Sequence, residues 1–299
     1  MDTPTKTPPT PWTGYVPVED TALRVTDTGG DGIPVVYLNG SYANTRHWKK
    51  VIAELGFTGT VHAATDQALA GHGLQRTTAA SAGGSITYRH IAYDERARGR
   101  SRRSADYSFE AAVRDLDAVL TARRSERPIL VGWSYGALIA VHWADRHPDR
   151  VAGIVSVDGA LPVPASIRKE LPDDQIRRLF GRMRLFLPIA ARLGLAARMS
   201  ADQHAQINIE ANNLLEESQL VPILDRITTP VRYIIAQGDH TGSKNDQMGR
   251  IRRALEPVVA RNHNLQISAR VPSNHEAILR KDSVAVAQVV RDQAAQLAG

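Results

Sequence analysis

An α/β fold, with a mainly parallel sheet covered by helices on both faces, is what this 299-residue chain predicts. Three observations carry that prediction. Short apolar runs alternate with helical stretches over most of the length, which is the pattern of strands joined by crossover helices. Runs such as Ile129-Leu130-Val131 are continuously apolar rather than alternating, as in strands buried on both faces. One of these runs ends in a glycine-flanked serine and passes directly into a helix-like stretch, which suits a strand-to-helix turn. With 42% hydrophobic residues, the chain is large enough for one core, or a core plus a subdomain.

The elements follow in order. Residues 1–14 read as a proline-rich arm, because proline sustains neither a ladder nor a helix interior. Leu23 and Val25 then alternate with polar neighbours, Gly29-Gly30-Asp31-Gly32 reads as a turn, and residues 33–38 form an apolar strand; together they suggest a β-hairpin. A helix over 44–55 places Trp48, Val51, Ile52 and Leu55 on one face. Residues 57–85 are small and polar and read as a surface insertion with one short helix near 62–70. A strand over 86–93 comes next. Ser108 or Asp106 caps a helix whose Phe109, Ala112, Val113, Leu116 and Leu120 make an apolar stripe, and strands over 128–131 and 151–157 follow.

No strand is apparent from 161 to 224. Helical segments over 174–187, 189–197 and 202–215, parted by Pro188 and Ser200, read as a helical cap spanning 161–225. The sheet pattern resumes with a strand over 231–236, a helix over 246–259, a strand over 265–271 and a last helix to about Ala298. The core is therefore expected over 15–160 and 226–299.

Composition excludes several chemistries. Without cysteine there is no disulfide, thiolate metal site or cysteine nucleophile. No apolar run reaches the ~18 residues of a membrane span, and the proline-rich start lacks the apolar stretch of a signal peptide, so a cytoplasmic protein is expected. The net charge of +6 peaks at Arg96, Arg98, Arg100, Arg102 and Arg103. That run lacks aromatic interleaving and begins with Asp94-Glu95, which suits a solvated loop better than a nucleic-acid surface. His62, Asp66 and His72 match no strong zinc spacing, so no metal is expected.

Gly132-Trp133-Ser134-Tyr135-Gly136 reads as a nucleophile elbow. A serine on a tight strand-to-helix turn holds a strained backbone, and the residues two before and two after it must be small. From average composition the bare pattern arises by accident in a chain this long with probability roughly 0.1. The strand before it and the helix after it supply the missing specificity. A serine hydroxyl is a poor nucleophile until a base takes its proton, so Ser134 needs a histidine partner.

In these features the chain resembles enzymes of the α/β-hydrolase fold with a helical cap, from about Leu23 to the C-terminus. Leu38-Asn39-Gly40-Ser41 corresponds to the family's strand end with its His-Gly pair, Asn39 replacing the histidine. The resemblance implies that the backbone N–H groups of Ser41 and Tyr135 form the oxyanion hole. Asp94-Glu95-Arg96-Ala97-Arg98-Gly99-Arg100-Ser101 resembles the family's Asp-x-Arg-Gly-x-Gly-x-Ser loop, with Ala97 in place of the first glycine. His147-Pro148-Asp149-Arg150-Val151 resembles the usual helix end before the next strand. His275, in Pro272-Ser273-Asn274-His275-Glu276, falls where the family places its base.

Two aspartates compete for the carboxylate that orients that base. Asp239, after the strand over 231–236, is favoured; Asp158, at the end of the strand over 151–157, is the alternative, and Asp246 comes third.

The resemblance implies a serine hydrolase that cleaves a carboxylic ester or lactone of a small molecule through an acyl-enzyme, with thioesters and amides behind, and that needs no cofactor. Acyl transfer or perhydrolysis on the same residues, metabolite tailoring, and a non-turnover binding protein are the competing readings. Tyr42, Trp133, Met183, Phe186 and Leu187 are the candidate pocket residues. An aminopeptidase would need a cap carboxylate such as Glu210, Glu216 or Glu217. The oligomeric state is left open.

Overall fold

The computed structural model describes residues 10–56, 58–59, 86–170, 172–194, 196–238 and 246–298. Its strands are β1 (Trp12–Val18), β2 (Thr21–Asp27), β3 (Ile33–Leu38), β4 (Thr58–Gly59), β5 (Ile86–Tyr93), β6 (Ile129–Trp133), β7 (Gly153–Val157), β8 (Val231–Ala236) and β9 (Leu265–Val271). Eight of them lie in the order β1-β2-β5-β3-β6-β7-β8-β9, and the two-residue β4 pairs with β5 off that path. From β5 to β9 the pairing along the path is parallel, whereas β1, β2 and β5 pair antiparallel. The fold class is the expected one.

The sheet differs from the sequence reading at its first edge. β2 and β3 do not form a hairpin, because β5 lies between them, pairing Tyr93 with Val25 on one side and Tyr88 with Ile33 on the other. β5 is buried over most of its length, so it belongs inside a sheet and not at an edge. The prolines also overextend the arm. β1 begins at Trp12, within the 1–14 span, and runs antiparallel to β2 from Trp12↔Asp27 to Val18↔Thr21.

Helices α1 (Lys49–Leu55), α2 (Phe109–Ala122) and α3 (Tyr135–Arg146) belong to the first half of the core. Ser108 caps α2 by accepting from Ala111 N, which ties up one orphan donor of the first turn. Between β7 and β8 lie α4 (Ala165–Arg168), α5 (Asp173–Met183), α6 (Leu187–Arg192), α7 (Ala201–Leu215) and α8 (Glu217–Arg226). Pro188 opens α6 rather than ending a helix; at the first turn its missing N–H costs nothing. Ser200 and Gln203 form a capping box on α7. The chain closes with α9 (Gln247–Ala254), α10 (Glu256–Arg261), α11 (Ile278–Lys281) and α12 (Ser283–Ala298).

Apolar clusters lie on either face of the sheet: one holds Trp143, Leu116 and Tyr233, the other Trp48, Tyr37 and Val286. The helices between β7 and β8, where the cap is expected, have their own small cluster of Phe180, Leu187 and Ala205. Most of the 57–85 insertion, with its expected helix and His62, Asp66 and His72, lies outside the described residues.

Candidate active site

Ser134 stands between β6 and α3 with φ 55 and ψ −116, a region that non-glycine residues seldom occupy and that costs of order 1–3 kcal/mol. The glycines around it are dictated by contact. A Cβ on Gly132 would sit 2.4 Å from Ala137 N, and one on Gly136 would sit 2.3 Å from Leu38 O. Ser134 N donates to Val157 O at 3.1 Å, tying the elbow to the end of β7. A third glycine, missed in the sequence, completes the packing: a Cβ on Gly159 would meet Ser134 O at 2.5 Å. Gly159 lies between Asp158 and Ala160, both at positive φ, so the turn after β7 is tightly coiled against the elbow.

Asp158 is a buried carboxylate with four donors. Its Oδ1 accepts from Ala236 N at 3.1 Å and Arg252 Nε at 3.2 Å, and its Oδ2 accepts from Arg252 Nη2 at 3.0 Å. His275 Nδ1 lies 2.9 Å from Oδ2. Burial opposes ionisation of Asp158, but the hydrogen bonds from His275 and Arg252 outweigh it and hold the carboxyl below its usual range. An ionised carboxylate only accepts, so Nδ1 is the ring nitrogen that carries a proton in this contact. Arg252, on α9, also donates through Nη1 to Gly238 O; nothing in the sequence marked it. Asp239 lies outside the described residues. Asp246 is exposed and pairs with Arg253 at 2.6 Å.

His275 is fixed to the elbow through Trp133, whose Nε1 donates to His275 O at 3.2 Å and whose ring centroid lies 5.6 Å from the imidazole. Asn274 Oδ1 accepts from Ala277 N, shaping the loop. Three other histidines have partners of their own, while His47, which bonds Asn44 O at 3.0 Å, has its ring 5.8 Å from that of Trp133. His90 bonds Tyr37 Oη and Gly56 O, His204 approaches Ala197 O at 3.3 Å, and His142 packs edge-on against Phe109 at 4.8 Å.

The loop after β3 presses on the same elbow. A Cβ on Gly40 would lie 3.1 Å from the Trp133 ring and 3.4 Å from Ser134 Cβ. Asn39 explains how the loop is held without the family's histidine. Its backbone N donates to Glu95 Oε1 at 3.0 Å, its Nδ2 to Glu95 Oε2 at 3.0 Å and to Tyr93 O at 2.8 Å, and its Oδ1 accepts from Trp48 Nε1 at 3.0 Å. Arg98 Nε donates to Ser41 O at 2.6 Å. Burial pushes the Glu95 carboxyl up to about 7, against the pull of Arg98 and of its bonds from Asn39. Tyr135 is the first residue of α3, so its N–H has no acceptor within the helix and lies at the positive end of the dipole.

Part of the arginine run is structural. Arg96 is buried against Asp115 at 2.8 Å, and Asp94 accepts from Thr45 N and Arg100 N at 2.9 Å each. Gly99 is needed there, since a Cβ would fall 2.0 Å from Asp94 Oδ2. Ala97 holds φ 59, the conformation that favours glycine.

The remaining candidates are distributed unevenly. Leu187 is buried inside the cap and Trp133 is buried at the elbow, whereas Tyr42, Met183 and Phe186 are exposed. Tyr42 Oη accepts from Asn208 Nδ2 at 2.7 Å and its ring stacks on His204, so it touches the cap. Glu210 accepts from Phe109 N at 2.9 Å, and Glu216 pairs with Arg168 at 3.0 Å; two of the three cap carboxylates named for an amine substrate thus have structural partners.

The chain belongs to the alpha/beta hydrolase fold family, whose model matches residues 34–187. It is 33% identical over 109 residues to an epoxide hydrolase B of Mycobacterium tuberculosis, covering 33% of this chain and 31% of the relative. The chain therefore spans about a third of the length of such curated relatives. Among solved structures it is similar to an esterase from Exiguobacterium antarcticum, with a TM-score of 0.64 and 17% identity, over 93% of this chain and 98% of the other. A thermophilic esterase from Thermogutta terrifontis gives a TM-score of 0.61 at 17% identity, over 96% and 98%. At that identity these two likenesses speak for the fold.

Proposed function

We propose that this protein is a serine hydrolase cleaving a carboxylic ester or lactone of a small molecule, with Ser134 as nucleophile, His275 as base and Asp158 as the orienting carboxylate. The observation that carries the reading is the convergence at one end of the sheet: a strained Ser134, packed by Gly40 and Gly159, beside an Asp158–His275 pair. In this reading Ser134 Oγ attacks the acyl carbonyl while His275 Nε2 takes its proton. The tetrahedral oxyanion is met by the N–H groups of Ser41 and Tyr135, where losing one such donor typically costs about 3 kcal/mol. Collapse expels the alcohol, which receives the proton from His275. Water, deprotonated by the same imidazole, then releases the acid and frees Ser134.

Asp158 replaces Asp239 as the favoured acid because its Oδ2 meets Nδ1 of His275 at 2.9 Å. The epoxide hydrolase and dehalogenase chemistry of some relatives forms an alkyl-enzyme ester on a carboxylate, and serine stands at that position here. A fluorophosphonate probe is expected to label the protein at Ser134, and Ser134→Ala to abolish both labelling and release of p-nitrophenol from short acyl esters. Folded protein that resists the probe and cleaves no ester would overturn the hydrolase reading in favour of a binding protein.

A further inference from the structure

Between Gln175 and Met199 the cap carries six arginines and no acidic residue, as many positive charges as the whole chain's formal net charge of +6. The same stretch concentrates exposed apolar surface. Of the ten large hydrophobic residues that are exposed among the described residues, six fall between Leu179 and Leu193, and Leu185, Leu193 and Phe186 are 73%, 69% and 68% exposed. Such a concentration is unlike the scattered apolar residues of an ordinary surface. Arg182, Arg184 and Arg192 are exposed beside these side chains and have no ion pair among the described residues. Arg178 pairs with exposed Asp174 and Arg177 with neutral Gln206.

We propose that this arginine-flanked apolar face of the cap, from Arg177 to Leu193, docks on an anionic phospholipid surface. Interleaved aliphatic and guanidinium side chains, with Arg178–Asp174 their one ion pair among the described residues, match an interface of acyl chains beneath phosphate groups. These apolar residues are 39% to 73% exposed, and a Cβ added at Gly181 or Gly194 would meet nothing within 4 Å. Side chains projecting into open space need a fluid partner that moulds to them; a folded acidic protein would need a complementary groove. The inner side of this face meets the site: Phe180 stacks on His204 at 5.6 Å, and His204 stacks on Tyr42 at 5.8 Å, next to Ser41. Docking would therefore place lipid close to the loop after β3. The inference is independent of the chemistry at Ser134.

Co-sedimentation of the full chain with phosphatidylglycerol–phosphatidylcholine vesicles tests it by reading binding rather than turnover. Binding is expected to the mixed vesicles and to be much weaker with phosphatidylcholine alone. Arg182→Gln with Arg184→Gln is expected to weaken it about fivefold per arginine removed. Leu185→Ser with Leu193→Ser is expected to weaken it about tenfold or more at the same charge. Thermal melting of each variant verifies the fold. No binding to the mixed vesicles, or binding that both pairs of substitutions leave unchanged, would overturn the proposal. So would equal binding to soluble polyglutamate that survives Leu185→Ser with Leu193→Ser, which would point to an acidic protein partner instead.

Discussion

Replacing Asp158 by asparagine perturbs two things that the structure places on the same carboxylate, and they separate cleanly. The first is the orientation of His275, the proposed base. Asp158 Oδ2 lies 2.9 Å from His275 Nδ1, and an amide there presents either a donor or a weaker neutral acceptor. Loss of the correct tautomer in a serine–histidine–carboxylate site lowers kcat by roughly 10^4. The second is charge balance. Arg252 is buried and makes two contacts to Asp158, at 3.2 and 3.0 Å, so the variant leaves a buried cation uncompensated at a cost of about 3–5 kcal/mol. With an unfolding entropy of ~2.1 cal/mol/K per residue, that loss lowers Tm by roughly 5–8 °C in a chain of 299 residues.

The depressed carboxyl adds a pH signature. Its stabilisation is present above the unfolded value of ~3.9 and is lost as pH falls through the lower folded value. Asp158→Asn should therefore lose stability at neutral pH and show a shallower acid limb. Adding Arg252→Met removes the stranded cation and should restore much of the Tm without restoring kcat. The assays are p-nitrophenyl butyrate hydrolysis and thermal melting by circular dichroism. A kcat for Asp158→Asn within tenfold of the parent, alongside a thousandfold loss in Asp239→Asn, would refute the assignment and return the role to Asp239.

The remaining predictions are smaller. Glu95, pushed up to about 7 by burial, favours folding below its unfolded value near 4.5 and loses that contribution as pH rises through 7. Urea unfolding should show this carboxyl withdrawing roughly 3 kcal/mol between pH 4.5 and 8, and Glu95→Gln should lack that share; an identical slope in the variant would sink the argument. His142, lowered to about 4 chiefly by burial, should give the opposite trend, losing stability as pH falls from 6.5 toward 4. His142→Leu should flatten that limb. Gly136→Ala, whose Cβ would meet Leu38 O at 2.3 Å, should fail to accumulate as folded protein. Gly181→Ala, on open space inside α5, should stabilise by about 0.5–1 kcal/mol.

The parallel core was legible because its strands are short and doubly buried, and the helices between them carry regular stripes. The antiparallel edge was not. Local pattern joins β2 to β3 across Gly29-Gly30, whereas the tertiary sheet inserts β5 between them. The elbow turn was readable from glycine spacing, and the place of His275, the proposed base, from its position after the last strand. The proposed acid was harder to pick out, because counting along one strand is blind to its neighbour. β7 pairs Val157 with Ile234, which brings Asp158 beside Ala236 N, and Arg252 arrives from a helix 94 residues away. The Asn39–Glu95 pair was hidden for the same reason, its partners standing 56 residues apart.

The same separations bear on synthesis and proteolysis. The Asp158–His275 bond closes a span of 117 residues. The pair cannot meet until that whole span has been synthesised, so a nascent chain carries the elbow before its proposed base. Any fragment clipped ahead of Ser273 would likewise keep Ser134 and lose the histidine. The proposed reactivity would then report a chain intact through His275, well beyond the proposed nucleophile in sequence.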